Sequence, residues 1–144
     1  MENKEDKKPT ILIVDDEEMI CFGLSKIISK NSKYRAIPHC VQKGFNPNKL
    51  AEKYAPETHV LVTDLNFNIS DCDGIKLAET FKKMPNNRIK GYILQTASEV
   101  SKHPNNKIYT GDGKEIPEYM KILTKPVSYK RLLLEIETAM NSLN

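Results

Sequence analysis

The chain has 144 residues, 39% apolar and 28% charged, the length and composition of one globular domain that can bury a real core. Its 22 Lys and Arg against 19 Asp and Glu leave a formal charge of +3, too small an excess to argue for nucleic acid or an anionic membrane. No apolar run approaches the ~18 residues of a membrane span, residues 1–9 are charged without a signal-peptide core, and Cys21, Cys40 and Cys72 lack the spacing of a zinc site or a disulfide framework.

Residues 10–14 (TILIV) are a continuous apolar run that ends abruptly in Asp15, Asp16, Glu17 and Glu18. A run without alternation predicts a strand buried on both faces, as in a parallel sheet. Ile20, Leu24, Ile27 and Ile28 then form the stripe of an amphipathic helix. Residues 34–41 predict a weaker strand, placed at a sheet edge by Pro38. Asn46 and Pro47 are the N-cap and first residue of a helix reaching about Ala55.

Residues 60–63 (VLVT) are the second strong strand signal and end in Asp64. After a polar loop, Gly74 opens a helix whose stripe is Ile75, Leu77, Ala78 and Phe81, stopped near Pro85. Tyr92, Ile93 and Leu94 predict a strand that leads into Gln95, Thr96, Ala97 and Ser98. The next segment carries Pro104, Gly111, Gly113 and Pro117. Gly costs about 1 kcal/mol and Pro about 3 kcal/mol in a helix interior relative to Ala, so no long helix is expected here. The expectation is at most a short helical turn over residues 98–103. A mobile loop or a hairpin follows, the hairpin formed by residues 107–110 and 114–116 and turning at Gly111-Asp112-Gly113. Residues 121–124 form the last strand, ending at Lys125-Pro126. Ser128 caps a closing helix in which Leu132, Ile136, Ala139, Met140 and Leu143 share a face.

Strands alternating with helices predict an α/β fold, a five-stranded parallel sheet flanked by helices. In such sheets a site lies beyond the carboxyl ends of the strands. The residues there are Asp15 and Asp16, Asp64, Thr96 and Lys125. Three close carboxylates repel one another, and a hard divalent cation such as Mg²⁺ removes the conflict. Lys125 offers a point charge and Thr96 a hydroxyl donor, both suited to a phosphoryl group. An Asp carboxylate can itself be the nucleophile that accepts one. Taken singly, each has an ordinary role: Asp15 and Asp16 complementing a helix dipole, Asp64 starting an Asx turn, Thr96 as a β-former, Lys125 as a solvated cation. His39, His59 and His103 are scattered and read as structural or solvent-facing.

The set Ile13-Val14-Asp15-Asp16-Glu17, Val60-Leu61-Val62-Thr63-Asp64, Gln95-Thr96-Ala97 and Lys125-Pro126 resembles the receiver domain of two-component response regulators over most of the chain. The resemblance implies a flavodoxin-like strand order 2-1-3-4-5, here with an atypical or missing fourth helix. It implies a receiver over residues 10–144, preceded by residues 1–9, whose charged composition predicts a disordered tail. Asp64 would be the phosphoacceptor. Asp15, Asp16 and Asp64, with the backbone carbonyl of Asn66, would hold Mg²⁺, and Thr96 and Lys125 would bind phosphoryl oxygens. Ala97 would leave room for the phosphodonor, Lys125-Pro126 would be a cis peptide, and Gly74 would open the third helix. The implied phosphodonor is a histidine kinase or histidine phosphotransfer protein, and the output is a phosphorylation-dependent change of affinity for a downstream protein.

The further expectation is a stand-alone cytoplasmic monomer or weak dimer that is not an enzyme in the usual sense and has no direct contact with nucleic acid or membrane. The chain departs from the pattern in three places. The loop of residues 65–73 is longer and lacks Met-Pro, Ile122 replaces the switch aromatic with Tyr119 out of register, and the stretch from Thr96 to Lys125 is long. Two other readings remain: a pseudo-receiver that docks partners without phosphorylation, and a haloacid-dehalogenase-type phosphohydrolase, whose second Asp would be replaced by Asn66.

Overall fold

The computed structural model describes residues 8–30, 33–68 and 71–141. Residues 1–7 of the expected tail, Ile69 and Ser70 of the polar loop, and Leu143 of the closing stripe lie outside the described residues. In chain order the elements are β1 (Thr10–Asp15), α1 (Glu18–Lys30), β2 (Arg35–Cys40), α2 (Pro47–Tyr54), β3 (Val60–Asp64), α3 (Gly74–Lys82), β4 (Gly91–Thr96), β5 (Val100–Lys102), β6 (Ile108–Thr110), β7 (Glu115–Ile116), β8 (Met120–Thr124) and α4 (Tyr129–Asn141).

Five strands pair in parallel in the order β2-β1-β3-β4-β8, the flavodoxin-like order with β8 as its fifth strand. The three inner strands are the continuous apolar runs, and nearly every residue in them is buried. Covering helices on both faces leave no wet side along which polar residues could alternate. Pro38 stands opposite Ile13 in β2, and β2 is an edge strand, where a missing N–H costs no ladder bond on the outer side.

Side chains still alternate between two cores. Leu12, Val14, Leu61 and Leu94 join α2 and α3 through Leu50, Leu77 and Phe81. Ile11, Ile13, Val60, Val62 and Ile93 join α1 and α4 through Cys21, Ile28, Leu132 and Ile136. The helix caps follow from the sequence. Asn46 Oδ1 accepts from the Asn48 and Lys49 amides at 2.9 and 3.3 Å, and Ser128 Oγ accepts from the Arg131 amide at 3.2 Å. His59 is structural, its Nδ1 accepting the Thr10 amide proton at 3.0 Å. Among the described residues no helix is long and apolar enough to cross a membrane.

Between β4 and β8 the expected absence of a long helix holds, and the hairpin forms as β6 and β7. The helical turn expected over residues 98–103 is replaced by strand β5. It pairs antiparallel with β6 through Val100–Thr110, Ser101–Tyr109 and Lys102–Ile108, giving a second sheet β5-β6-β7. The hairpin supplies an edge whose hydrogen bonds a single isolated turn cannot match, and β-branched Val100 fits that pleated surface.

Candidate functional site

β1 and β3 are neighbours with Ile11 opposite Val60 and Val14 opposite Thr63, so the register brings Asp15 beside Asp64 where both strands end. Asp15, Asp16 and Asp64 each contribute a carboxylate oxygen to a cluster in which all three atoms lie within 4.8 Å of one another. The chain turns out of β1 immediately, and Asp15 Oδ1 accepts from the Glu17 amide at 2.9 Å. Asp16 Oδ2 accepts from the Asn68 amide at 2.9 Å, which ties the loop after β3 to the cluster. Lys125, just past β8, reaches over β4 to place Nζ 2.8 Å from Asp64 Oδ1, with both side chains largely shielded from solvent.

The electrostatics are those of a site short of positive charge. Asp15 is 2% exposed. Burial pushes its pKa up to about 6 against the pull of the Glu17 amide, and the Asp64 charge adds to the rise. Burial also raises Asp64, outweighing the bond from Lys125. For Lys125 burial works downward, yet the hydrogen bond and charge of Asp64, with Asp15 and Glu17 behind them, hold its pKa above the usual value. One ammonium faces three carboxylates. The donor set is all oxygen and gathered on one side, which fits a small hard cation of the Mg²⁺ kind; Asp15, Asp16 and Asp64 are the residues that could hold it.

The loop and helix behind Asp64 are packed without slack. A Cβ built on Gly74 would stand 2.2 Å from the Asp64 carbonyl oxygen and 2.9 Å from Leu94 Cδ1, so only glycine lets α3 begin here. The Gly74 amide donates to the Leu65 carbonyl at 2.7 Å. Asn66 forms an antiparallel bridge with Asp73, which places its backbone on the loop beside the cluster.

Thr96 ends β4, 1% exposed, but its Oγ1 accepts from the Ser98 amide at 3.0 Å. Its hydroxyl is thus turned to the chain entering β5, while Asp15, Asp16 and Asp64 are clustered and Lys125 is paired with Asp64. Lys125-Pro126 is cis. Ile122 stands opposite Leu94 in β8, and Tyr119 is packed edge-on against Tyr92 at 5.0 Å between ring centroids.

Two residues at this end of the sheet escaped sequence reasoning. Asp73 caps α3, its Oδ1 accepting from the Lys76 amide at 2.8 Å, and its Oδ2 lies 2.6 Å from Lys114 Nζ. Asp directly before the helix-opening Gly74 was a readable cap signal. Lys114, 41 residues away on the hairpin, had none.

No family model matches the sequence, and no curated protein matches it. Solved structures do. A response regulator receiver protein from Sinorhizobium medicae WSM419 superimposes with a TM-score of 0.68 at 20% identity, over 94% of this chain and 97% of that one. A CheY-like receiver domain from Methylobacillus flagellatus gives 0.65 at 16% identity, over 92% and 99%. The chemotaxis response regulator CheY4 of Vibrio cholerae gives 0.64 at 18% identity, again over 92% and 99%. With the strand order and the strand-end cluster, these likenesses lead to one structural conclusion: the chain has the fold of a response-regulator receiver domain.

Proposed function

We propose that the chain is a phosphoacceptor of two-component or phosphorelay signalling, phosphorylated on Asp64 in a Mg²⁺-dependent reaction. The observation that carries this is the placement of Asp64 at a strand end, 2.8 Å from the Lys125 ammonium and within a three-carboxylate cluster. An Asp64 oxygen attacks phosphorus, the bond from phosphorus to the donor's imidazole nitrogen breaks, and the departing imidazole takes up a proton. Lys125 then turns from the Asp64 carboxylate to a phosphoryl oxygen. Thr96 can donate to another by turning its hydroxyl proton away from the Ser98 carbonyl, 3.5 Å away. Asp15, Asp16, Asp64 and the Asn66 backbone carbonyl would hold Mg²⁺, which when bound supplies neutralising charge to the phosphoryl oxygens.

The phosphodonor we infer is a histidine kinase or histidine phosphotransfer protein. An apolar cleft of about 480 Å³ beside Lys125, bordered by Ile20 and Leu24 of α1 and by Pro126 and Val127, supports docking of a protein there. Ile27, three residues beyond Leu24 on the same face of α1, is 38% exposed. The output is a changed affinity for a downstream protein in the cytoplasm, with no catalytic turnover of a substrate.

The test is intact-mass measurement after incubation with a phosphoramidate donor, with and without Mg²⁺. One added phosphoryl group is expected with Mg²⁺ only, and none on Asp64→Asn, which keeps the shape and loses the nucleophile. An unchanged gain on Asp64→Asn overturns the assignment. A second reading, a docking module indifferent to phosphorylation, is favoured by Ile122 in place of an aromatic and by the Thr96 hydroxyl engaged on Ser98. Phosphorylation that leaves every amide signal beyond the Asp64 loop unmoved would select it.

A further inference from the structure

We propose that Lys114 is a positioning residue for the Asp64 site, acting through Asp73 from the small sheet β5-β6-β7 that lies between β4 and β8. The inference rests on the phosphoacceptor reading of that site and names a residue within it. The contacts close a ring. Lys114 is fixed on the hairpin by its own amide, which donates to Thr110 Oγ1 at 2.9 Å, and Thr110 pairs with Val100 of β5. β5 leads back to Ser98, whose amide is held by Thr96 at the end of β4.

On the other side Lys114 Nζ meets Asp73 Oδ2 at 2.6 Å, the Asp73 side chain being only 15% exposed. Asp73 is bridged to Asn66, and two residues further the Asn68 amide binds Asp16. Leu65, Asn66, Asp73, Ser98, Thr110 and Lys114 thus face one another around a cavity of about 270 Å³. Asp73 needs no lysine to cap α3, because its other oxygen does that. The ion pair is therefore an added tie between the sheet and the two described ends of the acceptor loop. It fixes the loop whose backbone reaches Asp16, so its loss should be felt as weaker cation binding and not as slower transfer.

The experiment measures the phosphorylation rate of the full chain against Mg²⁺ concentration for wild type, Lys114→Met, Lys114→Arg and Asp73→Asn, the last keeping an acceptor for the helix cap. Alongside it, Mg²⁺ is titrated into each protein without phosphodonor, following the Asn68 and Gly74 amide signals. Lys114→Met should raise the half-saturating Mg²⁺ concentration about 1.5-fold to fivefold, the range of a partly exposed ion pair. The rate at saturating Mg²⁺ should stay near wild type, Lys114→Arg should restore the midpoint, and adding Asp73→Asn to Lys114→Met should shift it no further. An unshifted midpoint in Lys114→Met, or a loss confined to the saturating rate, overturns the proposal. A wild-type protein that binds Mg²⁺ but takes no phosphoryl group overturns the phosphoacceptor reading instead, while the amide titration still decides the part played by Lys114.

Discussion

Asp15→Asn separates the stability of the site from its function. In the metal-free protein Asp15 is buried, and its pKa is raised from 3.8 to about 6 by burial and the neighbouring Asp64 charge. The folded chain therefore binds a proton more tightly than the unfolded chain between those values, and stability falls as pH rises through that window. Below about pH 4 both states are protonated, and above about pH 6 the loss is complete. At 1.36 kcal/mol per pH unit the interval amounts to about 3 kcal/mol, a large share of a domain's stability. Asparagine keeps an oxygen for the Glu17 amide and removes the charge. Urea unfolding in chelator should find Asp15→Asn more stable than wild type at pH 7, by about 1–3 kcal/mol, with a flatter profile between pH 4 and pH 7. With Mg²⁺ present the order should reverse, since wild type gains about 4.1 kcal/mol at a thousandfold excess over Kd and the variant loses that gain. A variant less stable than wild type in chelator at pH 7, or with the same pH slope, refutes the picture of crowded, undercompensated carboxylates.

Gly74→Ala would set a methyl group against the Asp64 carbonyl; calorimetry should show a loss of about 1–3 kcal/mol, and phosphorylation should slow as α3 shifts. Thr58 Oγ1 is fully buried and has no hydrogen-bond partner among the described residues, so Thr58→Val should leave stability unchanged or raise it by about 1 kcal/mol in urea unfolding. A generic aryl phosphate monoester should show no turnover with Mg²⁺. Sustained release of phosphate that disappears in Asp64→Asn would favour the phosphohydrolase reading.

The main sheet was legible because its inner strands are covered on both faces, so burial writes itself as unbroken runs such as TILIV and VLVT. The site was legible for a related reason. Where such a run stops at Asp15 or Asp64, the backbone has reached the sheet's edge, and a charged residue there either meets solvent or meets the next strand end. Pairing of β1 with β3 makes it the second.

What the sequence could not carry is anything decided by contacts between distant segments. Val100-Ser101-Lys102 has no strand signal of its own, and becomes β5 only because the hairpin presents an edge to it. Lys114 reads as one more solvated lysine until the hairpin folds back and sets it on Asp73. The Thr96 hydroxyl has the same dependence. Its place at the end of β4 follows from the pattern, but its partner, Ser98, follows from how the chain leaves the strand to enter β5. Replacing a helix by a sheet at this position therefore changes what the end of β4 is tied to. Any movement of Thr96 toward a phosphoryl group must loosen Ser98, the first residue of the path to the hairpin that holds Asp73. Conversely, by the reciprocity of linkage, a partner that grips the small sheet more tightly with Ser98 held than with it released would shift the proposed cation and phosphoryl affinity of the Asp64 site.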